Sequence, residues 1–261
     1  MGRLTTEMVR CVVRPEQIRQ GTVTLDLHQT KHLAAVLRLG AGDEFVIVPG
    51  DGAPQVARLE AARGSRATAL LLRPAPLPPP EPWSVTLAAA VPRHPAAFDQ
   101  IVDQATQIGM ATLIPMVTAR SVARMDPSKG SPRHARWTQL AEAAAAQSGR
   151  ATIPRLTAPM TWPAVLALRT DYDRLLLPTV GVPWRSVEEW VSPPSARRFL
   201  LLVGPEGDFT PEEIREATDA GAVQISLGYN VLRCETATLV VLTLLLNALR
   251  HRPLEEISPL P

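Results

Sequence analysis

Two segments near the C-terminal end of the chain place charged residues beside glycine in a way that could serve chemistry. The first, residues 200–210, contains a Gly-Pro-Glu-Gly run, and the second, residues 227–237, contains Arg233 and Glu235. In each segment an apolar strand ends in glycine, where the backbone can approach a ligand closely, and a helix follows. Open α/β sheets bind ligands outside the carboxyl ends of their strands. Two such loops close together in the sequence therefore predict a single pocket.

A helix with a recognisable start or composition follows each loop. Thr210 and Glu213 form a capping box around a proline at the first helical position, which predicts a helix from Pro211 to about Ala220. The second helix, Thr236 to Arg250, is apolar on nearly every face but shorter than the ~20 residues that span a bilayer. It must therefore be buried in its own domain or against another subunit.

Both loops also have a structural explanation. The glycines of the first loop suit an ordinary turn between a strand and a helix. Arg233 and Glu235 could form an ion pair that caps the following helix, with Glu235 stabilised by the N-terminal end of the helix dipole. The alternative is that these two charges, beside a region that must exclude water, take part in chemistry.

The elements that must position these loops alternate between strand and helix, which predicts a parallel α/β sheet in the C-terminal part of the chain. Its predicted strands are 85–90, 113–115, 175–177, 198–203 and 223–227. In the N-terminal part, one helical stretch from His32 to Leu39 and several short β runs predict a small barrel. Those β runs are 9–13, 23–25, 44–48 and 55–59. Six of the ten residues from Arg73 to Pro82 are proline, and this stiff linker predicts the domain boundary.

The composition of the chain indicates its cellular compartment more clearly than its function. The 261 residues carry a formal net charge of +2 and are 46% hydrophobic, enough for two cores. Cys11 and Cys234 have no metal-ligand spacing, and the N-terminus lacks the apolar core of a signal peptide, so we expect a cytoplasmic protein with no metal and no membrane segment. A basic stretch predicts RNA contact or, alternatively, a solvated loop; it contains Arg120, Arg124, Lys129, Arg133, His134 and Arg136.

Further blocks occur in order along the chain. They include His32-Leu33, Val36-Leu37-Arg38, the run from Gln104 to Gly109, Arg120-Ser121-Val122 and the run from Gln147 to Arg150. Together with the two glycine loops, these blocks resemble the bacterial ribosomal RNA small-subunit (uridine-N3) methyltransferases, the RsmE family of the SPOUT superfamily. The resemblance covers nearly the whole chain.

The resemblance implies an α/β fold in which a SPOUT-type knotted parallel sheet follows an N-terminal PUA-like β-barrel domain. It places an RNA-binding domain at 1–73, the linker at 74–82 and a methyltransferase domain at 83–261. The implied activity is S-adenosylmethionine-dependent methylation of a uridine N3 in 16S ribosomal RNA of the small subunit, performed by a homodimer. Two alternatives remain open: a knotted methyltransferase with another RNA target, such as a ribose 2′-hydroxyl, and a non-catalytic RNA-binding assembly factor.

The resemblance also implies three groups of site residues. The catalytic candidates are Arg233 or Arg120, to stabilise a uracil anion, and Glu235 as a base. The cofactor-binding candidates are Leu177, Leu202, Val203, Gly204, Glu206, Gly207, Leu227, Gly228, Val231 and Leu232. The RNA-binding candidates are Arg38, Arg124, Arg133, Arg136 and Arg150.

The chain departs from the family pattern at several of these positions. Gln104 and Gln107 stand where lysine and glutamate are usual, and Ala119 replaces a frequent glutamate. Asp208 takes the place of a common second glycine, and Cys234 that of a threonine. These departures argue against a catalytic role for positions 104, 107 and 119. They leave Arg120, Arg150, Arg233 and Glu235 as the polar candidates.

Overall fold

The structure, a computed structural model, describes residues 8–49, 53–63, 66–75, 81–121, 132–150 and 152–251. Its contacts divide the chain into two compact units. The first unit consists of Met1–Pro79 and Glu142–Ile153, and the second of Pro80–Ala141 and Pro154–Pro261. The segment Glu142–Ile153 thus groups with the N-terminal unit, whereas the sequence analysis placed it in the C-terminal domain. Within the predicted linker, residues 76–80 lie outside the described residues.

The N-terminal unit is built on a six-stranded sheet that curls into a half-barrel. Its strands are β1 (Arg10–Val13), β2 (Ile18–Arg19), β3 (Thr22–Leu25), β4 (Glu44–Pro49), β5 (Gln55–Arg63) and β6 (Arg66–Pro74). They lie in the order β1-β4-β5-β6-β3-β2, with β1 and β4 parallel and the other pairs antiparallel. Alternate residues such as Val23, Leu25, Phe45 and Ile47 point inward and form the core of this unit.

The helical segment of this unit begins earlier than the predicted His32. Helix α1 covers Leu27–Lys31 and continues as a π-helix, His32–Val36. A capping box that the sequence analysis missed sets this start. Asp26 Oδ1 accepts a hydrogen bond from the Gln29 backbone N–H at 2.9 Å, and Gln29 Oε1 accepts one from the Asp26 N–H at 2.8 Å.

The C-terminal unit contains a seven-stranded sheet in which every described pair is parallel. The strands are β7 (Ser84–Ala90), β8 (Thr112–Val117), β9 (Arg155–Leu156), β10 (Met160–Thr161), β11 (Arg174–Pro178), β12 (Arg198–Val203) and β13 (Ala222–Ile225). Their order is β10-β8-β7-β12-β11-β13, with β9 beside β8. All carboxyl ends therefore lie along one edge of the sheet, and the predicted α/β class is confirmed.

Helices cover both faces of this sheet. They are α2 (Pro95–Ile108), α3 (Pro132–Gln147), α4 (Trp162–Ala167), α5 (Val187–Trp190), α6 (Pro211–Asp219) and α7 (Cys234–Arg250). One buried cluster joins Phe98 of α2 and Leu245 of α7 to Leu201 of β12. A second cluster joins Trp162 of α4 to Leu202 of the same strand. Because successive residues of a strand point to opposite faces, the two clusters lie on opposite sides of the sheet.

The elements that flank the two glycine loops follow the predictions closely. Strand β12 has the predicted bounds, and α6 begins at Pro211 with the predicted capping box. Strand β13 ends at Ile225, two residues early, because the Ser226 side chain takes part in a local turn, where its Oγ accepts from the Gly228 N–H at 3.3 Å. Helix α7 begins two residues early, at Cys234.

The described residues contain no helix with the length and apolar character that crossing a membrane requires. In the same part of the chain, no group of three or more His, Cys, Asp and Glu side chains could hold a metal ion. Cys11 and Cys234 are both buried and form no disulfide.

Candidate active site

Three neighbouring strands bring the predicted cofactor-binding residues to one edge of the sheet. Strand β11 lies between β12 and β13, so the loops after all three strands start side by side. Leu177, Leu202 and Val203, at the ends of β11 and β12, are buried. Their side chains therefore pack in the core, and any contact that these positions make with a ligand must come from backbone atoms.

Gly204, the first residue after β12, makes room for an aromatic ring. A Cβ atom at this position would lie 3.1 Å from both Cδ2 and Cε2 of Phe209 and 3.2 Å from Oδ1 of Asp208. These distances are too short for ordinary contact, so a side chain here would displace the Phe209 ring. Phe209 is buried and packs against Trp162, with ring centroids 5.1 Å apart. The glycine thus serves loop packing, a role that the sequence did not reveal.

Asp208 adopts the backbone conformation that usually calls for glycine. Its φ is 59°, in the left-handed region that residues with a Cβ rarely enter. Aspartate tolerates this region when its short side chain forms a local hydrogen bond. Asp208 Oδ1 does so, accepting from the backbone N–H of Phe209 at 2.8 Å. The departure from the common second glycine is therefore compatible with the same turn.

Side chains connect the loop after β12 to the loops after β7 and β8. Glu206 Oε1 accepts a hydrogen bond from the backbone N–H of Arg93, which follows β7, at 3.0 Å. Arg120, which follows β8, donates from Nη1 to the carbonyl oxygens of Gly207 at 2.6 Å and Phe209 at 3.2 Å. Both side chains were predicted to meet a ligand, and both are engaged with loop backbone in the structure.

The loop after β13 leaves open space beside its backbone. Gly228 has a φ of 113°, and a Cβ there would meet no described atom within 4 Å. Apolar side chains flank this position: Leu227 and Leu232 are half-buried, and Val231 is 79% exposed. Accessible backbone next to apolar surface suits a flat ring that must be held by main-chain hydrogen bonds.

Arg233 and Glu235 do not form an ion pair with each other. The alternative in which such a pair caps the following helix is therefore not what the structure has. Arg233 is the exposed N-cap residue of α7, and within the described residues it has no ion-pair partner. Glu235 is half-buried in the first turn of α7, where its Oε2 accepts from Cys234 Sγ at 3.3 Å. Burial, this hydrogen bond and the charges of Glu235 and Glu206 raise the pKa of Cys234 to about 12. Arg233 is therefore a solvent-facing cation on the same loop as Gly228.

Known proteins share this arrangement of strands and loops. A family model described as an RNA methyltransferase domain matches residues 79–246. The ribosomal RNA small subunit methyltransferase E of Bacillus subtilis is 27% identical, over 87% of this chain and 91% of its own length. The Synechocystis sp. protein of the same name is 34% identical, over 89% of this chain and 75% of its own length. The chain belongs to the ribosomal RNA small subunit methyltransferase E family.

A solved structure from this family has the same fold. The Neisseria gonorrhoeae ribosomal RNA small subunit methyltransferase E, crystallised bound to S-adenosyl methionine, matches this chain with a TM-score of 0.76 at 26% identity. The match covers 90% of this chain and 95% of the Neisseria chain. The family resemblance that the sequence analysis drew from its motifs is thereby confirmed.

The arginines predicted to bind RNA differ in their exposure to solvent and in their hydrogen-bond partners. Arg38, with a left-handed φ of 56°, and Arg133 on α3 are exposed. Arg136 donates from Nη2 and Nε to Asp99 Oδ2 at 2.8 and 3.0 Å. Arg150 is half-buried, and burial lowers its pKa to about 10, which still leaves it cationic at neutral pH. The remaining member of the predicted set, Arg124, lies outside the described residues.

The departures at positions 104 and 107 lie within helix α2 rather than on a loop at the strand edge. Gln107 is exposed, and its Nε2 donates to Asp103 Oδ2 at 3.0 Å, one helical turn earlier. Gln104 is half-buried on the same helix. That neither glutamine serves in catalysis remains a prediction.

Sequence reasoning missed the contacts that hold the loop after β12 in place, although Glu206 and Arg120 were both among the predicted site residues. Glu206 and the Arg93 amide are 113 residues apart, and Arg120 and Gly207 are 87 residues apart, so no local spacing could reveal either pair. Phe209 gave no signal beyond its position beside the glycines. Of these residues only Glu213 had a local sequence signal, because its capping box with Thr210 is visible in the sequence.

Proposed function

We propose that this chain transfers a methyl group from S-adenosylmethionine to N3 of a uridine in small-subunit ribosomal RNA. The observation that carries the proposal is Arg233, an exposed cation on the same loop as the open backbone at Gly228. The names of the relatives supply the RNA class, and the Neisseria relative binds S-adenosyl methionine. The family resemblance implies uridine N3 as the atom that receives the methyl group, and an exposed guanidinium suits the uracil anion that would form there.

The residues at the strand edge fit an adenosine-bearing cofactor. We name residues 204–210, which follow β12, the cofactor loop. Residues 226–232 follow β13, which is separated from β12 by β11 in the sheet. The open space at Gly228 and the half-buried side chains of Leu227 and Leu232 offer an apolar seat with accessible backbone. When bound there, S-adenosylmethionine supplies a methyl group that its sulfonium has already activated. Gly204 and Gly207 contribute through backbone atoms in this proposal.

Arg233 and Glu235 supply the polar chemistry. Uridine N3–H is a weak acid, and its lone pair becomes available for attack only as the proton leaves. In the proposal Arg233 donates to a uracil carbonyl oxygen and stabilises the anion that develops. In the proposal Glu235 accepts the N3 proton through the carboxylate oxygen that does not accept from Cys234 Sγ. Arg120 is less suited to the anion because its Nη1 is engaged with Gly207.

The assembly proposed is a homodimer in the cytoplasm that acts on ribosomal RNA of the small subunit. Helix α7 supports the dimer because several of its apolar residues remain only half-buried in one chain, namely Leu239, Val240 and Leu244. Pairing through the same helix in both chains would be isologous, with one patch meeting itself across a two-fold axis. The exposed Arg38 and Arg133 are the strongest candidates for RNA phosphate contact.

Mass spectrometry of ribosomal RNA tests the proposed activity. RNA from cells that lack the protein should lose one N3-methylated uridine from the small subunit, and the wild-type gene should restore it. The Arg233→Ala variant should fail to restore it. Arg215→Ala, which removes an exposed arginine that pairs with Glu212 at 3.6 Å, is the matched control and should restore it.

Two other outcomes would replace the proposal. Loss of a ribose-methylated nucleotide instead of an N3-methylated uridine would support the alternative RNA target. An unchanged methylation pattern, together with defective small-subunit assembly and no measurable binding of S-adenosylmethionine, would support the non-catalytic assembly factor.

A further inference from the structure

Glu213 uses both of its carboxylate oxygens on backbone amides from two different loops. The residue lies on α6 and is only 5% exposed. Its Oε2 accepts from the Thr210 N–H at 2.9 Å, while Thr210 Oγ1 accepts from the Glu213 N–H at 3.2 Å. Its Oε1 accepts from the Ala119 N–H, also at 2.9 Å, on the loop after β8.

The second hydrogen bond is more than a helix cap requires. A capping box needs only one carboxylate oxygen, which Oε2 supplies. The Oε1 bond reaches a residue 94 positions earlier in the chain. A buried carboxylate is costly unless its oxygens are hydrogen-bonded, and hydrogen bonds to a charged acceptor are stronger than neutral ones. Glu213 therefore holds the loop after β8 and the end of the cofactor loop at a fixed separation.

Arg120 adds a second connection between the same two loops. It follows Ala119 directly, and its guanidinium donates to the carbonyl oxygens of Gly207 and Phe209. Glu213 thus accepts a hydrogen bond from an amide of the loop after β8. Arg120, on that loop, donates hydrogen bonds to carbonyl oxygens of the cofactor loop. Because Ala119 and Arg120 are adjacent, fixing the Ala119 amide also fixes the point from which Arg120 reaches the cofactor loop.

We propose that Glu213 is a positioning residue of the cofactor site, which preorganises the cofactor loop through the Ala119 amide and Arg120. The inference rests on the cofactor site proposed above. Preorganisation raises ligand affinity, because a loop that is already ordered in the free protein loses less conformational entropy when the ligand binds. Glu213 itself is buried beneath the loop and acts through its neighbours.

The Glu213→Gln variant tests the proposal. Glutamine offers one acceptor oxygen, and its NH₂ group would face one of the two donating amides, so one hydrogen bond is replaced by a repulsive contact. We expect the Kd for S-adenosylmethionine to rise about 10-fold or more, in line with the loss of one hydrogen bond to a charged group. The rate of methyl transfer at saturating cofactor should change much less.

The matched control is Glu216→Gln, one helical turn further along α6. Glu216 Oε2 accepts from Trp162 Nε1 at 2.7 Å, and among the described residues its side chain has no hydrogen bond to either loop. This variant removes the same charge and weakens a side-chain hydrogen bond of the same helix. Both variants should lose thermal stability, but only Glu213→Gln should lose cofactor affinity. Equal affinity in the two variants would show that Glu213 is merely structural.

Amide hydrogen exchange of the wild-type protein tests the same proposal if the Glu213→Gln variant does not fold. Saturating S-adenosylmethionine should slow exchange of the Ala119 and Thr210 amides together, since one carboxylate holds both. Protection at 226–232 but none at Ala119 would overturn the positioning role while leaving the cofactor site in place. Protection absent from both 204–210 and 226–232 would refute the site itself.

Discussion

The guanidinium of Arg120 lies 2.6 Å from the carbonyl oxygen of Gly207, from Nη1 to O, and thereby joins the loops after β8 and β12. A short hydrogen bond from a cation to a backbone carbonyl holds the loop but reduces the capacity of that cation to stabilise a substrate anion. Arg233, by contrast, is exposed and has no ion-pair partner among the described residues. The two arginines that the sequence offered for one role therefore differ in the structure.

Arg120→Ala should weaken cofactor binding rather than the chemical step. Without the guanidinium, the carbonyl oxygens of Gly207 and Phe209 lose their donor, and the cofactor loop becomes less ordered. We expect the KM for S-adenosylmethionine to rise about 10-fold, with the single-turnover rate at saturation within about 3-fold of wild type. Steady-state and single-turnover kinetics measure the two effects. A large fall in the saturated rate would return Arg120 to the list of catalytic candidates.

Arg233→Ala should show the opposite pattern. If the guanidinium stabilises the uracil anion, its loss should reduce methyl transfer by about 10²–10³-fold at saturating RNA and cofactor. The Kd for S-adenosylmethionine and the Tm should barely change, because Arg233 is exposed and does not pair with Glu235. Calorimetry and single-turnover assays decide the matter. A clear loss of Tm that is shared with Glu235→Ala, and not increased in the double variant, would instead indicate a stabilising pair.

Gly204→Ala should damage the cofactor loop, whereas Gly207→Ala should not. A Cβ at Gly204 would press on the Phe209 ring at 3.1 Å, while one at Gly207 would meet the Arg120 side chain, at 3.4 Å from Cδ and 3.8 Å from Cβ. Overpacking of this kind costs about 1–3 kcal/mol, so the Tm of Gly204→Ala should fall by several degrees along with cofactor affinity. Gly207→Ala should keep the wild-type Tm. A wild-type Tm in both variants would mean that the ring moves aside without cost.

Neither cysteine should react in the native protein at neutral pH. Burial, with a smaller contribution from the charge of Asp26, raises the pKa of Cys11 from 9.0 to about 12, and the pKa of Cys234 rises to the same value. A thiol-specific reagent should therefore label no thiol in the native state and two in denaturant. Because the unfolded thiols lose their protons first, stability should fall as pH rises from about 9 towards 12. Rapid native labelling at pH 8 would contradict this expectation.

Thr243→Arg should separate the proposed dimer into monomers. Thr243 is exposed on α7, and Leu239 and Val240 lie four and three residues before it on the same helix face. An arginine there would place two like charges near the two-fold axis while leaving the monomer core untouched. Light scattering should report the dimer mass for wild type and half that mass for the variant. Thr170→Arg, at another exposed threonine, should remain dimeric, and a wild-type monomer at micromolar concentration would exclude the dimer.

Prediction from the sequence was most accurate where the signals are local. The bounds of β12 and the start of α6 follow from an apolar run and from the Thr210–Glu213 capping box, both of which involve neighbouring residues. The capping box at Asp26 is equally local, and missing it shifted the start of α1. The parallel sheet follows from alternation of strands and helices, although its strand order does not.

The candidate site was predicted only in part because its geometry depends on contacts between distant parts of the chain. The two glycine loops were found from their spacing, but the sequence assigned Gly204 to ligand approach and not to the Phe209 ring. Arg120 and Arg233 are alike in residue type and differ only in what surrounds them. Nothing in their local sequence shows that one faces a carbonyl oxygen and the other faces solvent.

The hydrogen bonds that hold the cofactor loop end on main-chain atoms at Arg93, Ala119 and Gly207. Every amino acid except proline presents the same N–H, and every one presents the same C=O. Evolution can therefore change the side chains at positions 93 and 119 without breaking these contacts, whereas the acids at 206 and 213 and the base at 120 are constrained. At position 119 the side chain is only a methyl group, and the backbone N–H nevertheless donates to Glu213 Oε1 at 2.9 Å.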